Sequence, residues 1–203
     1  MDALFIAELN ERLFTHFTGG LWRVPYAQRH LPVHRADGAR LGQIVCADAA
    51  DIARARAELS PTGAAAQPDA MQQALAGLAE PLAALRREEG FQDTAAPLAL
   101  APPAGGGPVV LMTAAAVPPL SVGAALIALA GRGVIWKPAP RAAASAHYLM
   151  RHLGPMAAGR LALLQGDHAT GQLMARGAAP DTLLWASPAA PPPELRAQVL
   201  ALA

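Results

Sequence analysis

Short, continuous apolar runs alternate with longer segments of helical periodicity, most densely from residue 107 onward. Residues 109–113, 134–136, 161–164 and 183–185 each read as a strand buried on both faces. Between them, 120–130, 142–153 and 169–176 read as helices, the first stopped by Gly131 and the second followed by Pro155. This order predicts parallel strands joined by crossover helices, an α/β open sheet with helices on both faces. A last amphipathic helix is expected over 192–203, with Pro192 and Pro193 at its start and Leu195, Val199 and Leu202 on one face.

Upstream the pattern changes. Leu4, Phe5, Leu9, Leu13 and Phe17 recur at helical spacing, which predicts a short helix over 3–17 stopped by Gly19-Gly20. Residues 21–46 read as a β meander, with a turn at Ala36-Asp37-Gly38. A helix follows over 48–59, with Asp48 as its cap. Met71, Leu75, Leu78, Leu82 and Leu85 predict another helix over 70–89, kinked by Pro81. Pro/Gly/Ala-rich stretches at 60–70 and 93–107 read as linkers. The expected organisation is a helix and β arm over 1–59, a linker and amphipathic helix over 60–106, and the alternating domain over 107–203.

Composition narrows the function classes. A net charge of +1 gives no electrostatic case for nucleic acid. The densest basic cluster, residues 29–40, reads as a solvated loop. The longest apolar run, 117–130, contains two prolines and falls short of the about 20 residues of a membrane span. The N-terminus lacks a basic leader pattern, so the expectation is a cytoplasmic chain without membrane attachment. A single cysteine, Cys46, excludes an intrachain disulfide and reads as a core residue. The six histidines have no sequence-local carboxylate partner and no metal-ligand spacing.

The candidate chemistry lies at strand ends. Lys137, the only lysine, follows the second strand of the alternating region, where open sheets bind ligands. It reads either as a ligand contact or as a solvated strand-end lysine. Gly166-Asp167-His168-Ala169-Thr170-Gly171 lies between the third strand and its helix. It reads either as a phosphate-presenting turn or as a plain connection. Leu184-Trp185-Ala186-Ser187 closes the fourth strand.

These motifs, with Gly20, Trp22, Asp37-Gly38, Ala47 and Asp51 upstream, resemble the N-terminal and cofactor-binding half of the aldehyde dehydrogenase superfamily. The resemblance covers roughly residues 20–58 and 107–190. It implies a Rossmann-like domain with an N-terminal β arm. In that family a Lys-Pro pair grips the adenine-side ribose, which assigns cofactor binding to Lys137 and Pro138. Gly166 and Gly171 match the family's glycine turn, and Ser187 matches its Gly-Ser motif. The match is eroded at four places: Ala116 replaces an oxyanion-stabilising asparagine, Pro140 a ribose-binding carboxylate, His168 the middle glycine, and Ala186 the glycine before Ser187. Arg141, beside Pro140, would suit a 2′-phosphate. The family keeps two long helices before its first cofactor strand, of which the pattern here retains roughly one.

The family's thiolate nucleophile and glutamate base fall after the Gly-Ser motif, and no residue here matches them. The resemblance therefore implies no catalytic residue, no metal, and NAD or NADP as the cofactor. It also implies a non-catalytic structural or partner subunit, associating with itself or with a full-length aldehyde dehydrogenase. The alternative is an NAD(P)-binding module acting with a separate catalytic chain.

Overall fold

The computed structural model describes residues 13–59, 65–92, 107–178, 182–193 and 198–200. Its first elements are strands: β1 (Leu13–Phe14), β2 (His16–Thr18), β3 (Leu21–Arg23), β4 (His30–His34) and β5 (Arg40–Val45). Helices α1 (Ala49–Glu58), α2 (Pro68–Gly77) and α3 (Ala79–Glu88) follow. The alternating region holds β6 (Val109–Thr113), α4 (Pro119–Leu129), β7 (Val134–Pro138), α5 (Ala143–Leu153), β8 (Leu161–Leu163), α6 (His168–Arg176), β9 (Leu183–Ala186) and β10 (Gln198–Leu200).

The large sheet has seven strands in the order β10-β9-β6-β7-β8-β2-β3. Strands β6 to β10 are mutually parallel, and β2 joins antiparallel through Phe17 opposite Leu163. The direction of strand addition reverses at β6, which pairs with both β7 and β9. Side chains alternate across this sheet as the pleat requires. Val109, Leu111, Val134, Trp136, Leu161, Leu163 and Leu184 pack in one cluster with residues of α2 to α5. Val110, Met112, Ile135, Ala162 and Leu183 pack in the other with Ile52 and Ala55 of α1 and Met174 of α6. Both faces are buried, so the strands read as continuous apolar runs rather than alternating ones.

Two expectations are overturned. The helix predicted over 3–17 is replaced, in its described part, by β1 and β2; residues 1–12 lie outside the described set. Gly19 and Gly20 both have positive φ, +59° and +81°, and therefore form a two-residue hairpin turn between β2 and β3 rather than a helix stop. Phe17 reaches the core by strand pairing, with its ring packed on Gly154 and edge-on to Trp22. At the other end, β10 stands where a helix over 192–203 was expected, paired parallel with the edge of β9. An open ladder edge outweighs a weak amphipathic pattern in so short a segment. Residues 194–197 and 201–203 lie outside the described set.

The predicted meander is divided. β3 belongs to the large sheet, whereas β4 and β5 form a hairpin that pairs with β1 in a separate three-stranded sheet. The predicted helix over 70–89 is two ten-residue helices, broken at Leu78 rather than at Pro81. Pro81 lies in the first turn of α3, where its missing N–H costs nothing and its ring would clash only with a continuing helix. The helix capped by Asp48 is present as predicted, the carboxylate accepting from the N–H of Ala50 and Asp51. Of the two linkers, residues 60–64 and 93–106 lie outside the described set.

Two buried acids tie the layers together. Glu89, after α3, accepts from Ser145 N at 2.9 Å and Ser145 Oγ at 2.8 Å, and lies 3.3 Å from Arg86. Burial pushes its carboxyl up, against the pull of Ser145 and Arg86. Asp51 of α1 accepts from the N–H of Tyr26 and Ala27 and from Arg54, and faces His16 at 3.6 Å. Burial alone would raise the Asp51 carboxyl, but the His16 ring and the two backbone donors hold it well below the usual carboxylate range. A depressed folded pKa gives stability that is present above the unfolded value and lost as the acid protonates in the fold.

Two stability predictions follow from this packing. Asp51→Asn should lower unfolding free energy at neutral pH by about 3 kcal/mol and flatten its fall below about pH 4, read by urea unfolding across pH. A Cβ at Gly154 would lie 2.5 Å from the Phe17 ring, whereas one at Gly131 meets nothing within 4 Å. Gly154→Ala should therefore cost about 1–3 kcal/mol and Gly131→Ala far less, in the same measurement.

Candidate functional site

The carboxyl ends of β6, β7 and β9 open into a pocket of about 270 Å³. Register places Met112, Lys137 and Trp185 side by side on its floor, all on the face covered by α6. The walls include Ala114, Ala115, Ala139, Pro140, Asp167, His168 and Gly171. This is the crevice at the reversal of strand order, where open α/β sheets take ligands.

Lys137 is 8% exposed, and its Nζ donates to Pro138 O at 3.3 Å. Burial lowers its amine to about 8, with a weaker opposing pull from Asp167 and Cys46. A Cβ at Gly171 would sit 3.5 Å from Lys137 Cε and 3.7 Å from Met112 Sδ. Those are ordinary van der Waals distances, so α6 passes over the lysine stem with room for a Cβ but little more.

The α6 N-terminus is already engaged. Asp167 caps it, accepting from Thr170 N at 3.2 Å, and receives two bonds from Arg29 at 2.7 and 2.9 Å. Arg29 holds the Asp167 carboxyl near 2, with help from the Thr170 and Ala169 N–H groups. Arg29 lies in the basic cluster expected to be a solvated loop. Its pairing partner is 138 residues distant in sequence, which no local pattern could reveal. Cys46 is buried beside this group, and burial pushes its thiol up.

The sequence-derived residues are distributed unevenly. Lys137, Gly171, His168 and Pro140 come together in the pocket lining. Pro138, the last residue of β7, offers its carbonyl to the lysine. Gly166 faces the Thr170 side chain, whose Oγ1 donates to Ala47 O, so any Cβ there would collide with that contact. Ser187 Oγ accepts from Ala189 N and fixes the turn after β9, while Ala186 is buried in the sheet. Ala116 lies exposed in the turn between β6 and α4. Arg141 turns away, its guanidinium 4.8 Å from the centre of the Phe91 ring and bonded to Glu89 O.

The residues fit only part of a dinucleotide. Lys137 supplies a buried donor suited to a ribose hydroxyl. The α6 N-terminus has its donors taken by Asp167, and Pro188, Pro191, Pro192 and Pro193 bring no N–H to the segment after β9. Among the described residues, no group of three or more His, Cys, Asp or Glu side chains is placed to hold a metal. No helix among them is long and apolar enough to cross a membrane.

A buried, unpaired lysine carries a stability cost while charged. Its folded value lies below its unfolded one, so the unfolded chain binds more protons between about pH 8 and 10.5, and stability from this group rises across that window. Lys137→Met should raise unfolding free energy at pH 7 by about 1–3 kcal/mol and remove that rise, read by denaturant titration at several pH values.

No protein-family model matches this sequence, and no curated protein matches it. Solved structures do. The Δ-pyrroline-5-carboxylate dehydrogenase of Mycobacterium tuberculosis superposes with a TM-score of 0.65 at 20% identity, over 86% of this chain and 41% of that one. An aldehyde dehydrogenase from Bartonella henselae gives 0.64 at 19%, over 85% and 46%. Aldehyde dehydrogenase C from Pseudomonas syringae, solved with NAD+ and octanal, gives 0.62 at 16%, over 85% and 45%. The chain therefore shares the fold of the matched part of these dehydrogenases, and it spans less than half the length of each of these solved chains.

Proposed function

We propose that these residues form the non-catalytic, pocket-bearing part of an aldehyde-oxidising system, with NAD or NADP held through Lys137. The observation that carries this reading is the placement of the chain's only lysine, nine-tenths buried, in a pocket at the strand-order reversal. NAD or NADP bound there would supply the hydride acceptor. Lys137 would orient its ribose, and Met112 and Trp185 would shield it from water. The thiol chemistry of aldehyde oxidation would come from elsewhere, because Cys46 is 2% exposed and burial keeps its thiol protonated. The partner supplying it would be a full-length aldehyde dehydrogenase, with self-association as the other mode of assembly.

A second reading, a scaffold that has lost the nucleotide, is favoured by the Arg29–Asp167 pair closing the α6 N-terminus. Calorimetric titration with NAD+ and NADP+ separates the two. Micromolar binding that weakens at least about tenfold in Lys137→Ala supports the cofactor reading; ten-fold is about 1.4 kcal/mol, the scale of one buried hydrogen bond. Absence of binding at millimolar dinucleotide, with no rise in Tm, overturns it in favour of the scaffold. Because Arg141 is held at Phe91, NADP+ should bind no more tightly than NAD+.

A further inference from the structure

We propose that Lys137 is a carbonyl-capturing residue, whose ε-amine forms an imine with small aldehydes entering the pocket at the ends of β6, β7 and β9. Lysines are almost never fully buried unless paired. Lys137 is 8% exposed, and among the described residues its hydrogen bond goes to the carbonyl of its own neighbour, Pro138. No carboxylate of the described residues lies within ion-pair distance of it. Asp167, on the pocket wall, is committed to Arg29 by two short bonds.

The other groups whose charge the amine meets are few. His168 of α6 lines the same pocket, and the Cys46 thiol, just after β5, interacts weakly with the amine. Neither gives the ammonium a counter-charge. Met112, Ala114, Ala115, Ala139 and Trp185 make the rest of the lining largely apolar. A desolvated amine in such a setting gives up its proton more readily than a hydrated one, and its neutral form is the nucleophile. Its value of about 8, against 10.5 for a hydrated lysine, agrees with that geometry.

The volume sets the class of ligand. About 270 Å³ bounds what can sit enclosed against the amine, and an aldehyde of a few carbons fits within it. The step balances without an oxidant or a reductant. The nitrogen lone pair adds to the carbonyl carbon, and an amine proton moves to the oxygen. The remaining amine proton then leaves with that hydroxyl as water while the C=N bond forms. A neutral imine needs no counter-ion, and the wall's carboxylate, Asp167, is held by Arg29. A carbamate, the other common product of a free amine, would place an anion in a pocket whose lining holds no arginine and already carries the Asp167 carboxylate.

The inference uses the same pocket as the proposed function but does not require a dinucleotide. The test is reductive trapping of the 203-residue chain with propanal and cyanoborohydride at neutral pH, followed by peptide mapping. An adduct on the Lys137 peptide is unambiguous because the chain has no other lysine. Lys137 should label at least roughly tenfold faster in the folded chain than in the same chain unfolded in urea, where the amine is hydrated. Lys137→Arg should remove that label. Equal or slower labelling of the folded chain, or label confined to the terminal amine, overturns the inference. Trapping that proceeds without protection by NAD+, in a chain that shows no dinucleotide heat, would leave the inference standing and sink the cofactor reading. Dinucleotide binding without trapping would do the reverse.

Discussion

The carboxylate of Asp51 holds the arrangement on which everything else rests. It receives the N–H groups of Tyr26 and Ala27 and faces the ring of His16. His16 Nδ1 accepts from Gln165 N at the end of β8, which puts the proton of the neutral ring on Nε2, toward Asp51. Gln165 O in turn accepts from Ala47 N, and Ala47 O accepts from Thr170 of α6. One buried acid thus links α1, β2, the end of β8 and the start of α6. Without a partner for each of its oxygens, an ionised group buried this deeply would be strongly destabilising.

That linkage explains how a β arm far from the pocket in sequence shapes its mouth. Pinning Ala47 to Gln165 brings Cys46 beside the end of β8, and Cys46 N donates to Arg29 O. Arg29 is thereby brought within reach of Asp167, so the α6 N-terminus is closed by a carboxylate with its own counter-charge. On the opposite face, Glu89 performs a comparable role between α3 and α5 through Ser145. The sheet is clamped from both sides by buried acids, and the pocket opens where neither clamp reaches.

Lys137 shows how binding capacity and stability oppose one another. The same burial that weakens its charge leaves its amine bonded to the Pro138 carbonyl rather than to an acid, in the lining of a cavity. A partnered lysine would stabilise the fold better and be less available to a ligand. Groups held in unfavourable environments gather at functional sites for this reason, since the fold must over-determine them elsewhere. Here the surrounding apolar clusters and the two acid networks supply that surplus.

The sequence by itself determined the four central strands and the three helices between them. Strands buried on both faces must be continuously apolar, and the helices between them must be periodic. It also determined the Asp48 cap, the turn at Gly38 and the strand-end position of Lys137, each set by local chemistry. The resemblance of its motifs to aldehyde dehydrogenases matched the fold that superposition gives. Only the tertiary structure decided the fate of the two ends. Residues 13–18 and 198–200 have patterns too short to choose between helix and strand, and an open sheet edge chose for them. Only the tertiary structure decided which residues meet at the pocket as well. Arg29 and Asp167, or His16 and Asp51, carry no signal in sequence, because a charge finds its partner through the packing of whole elements rather than through spacing along the chain.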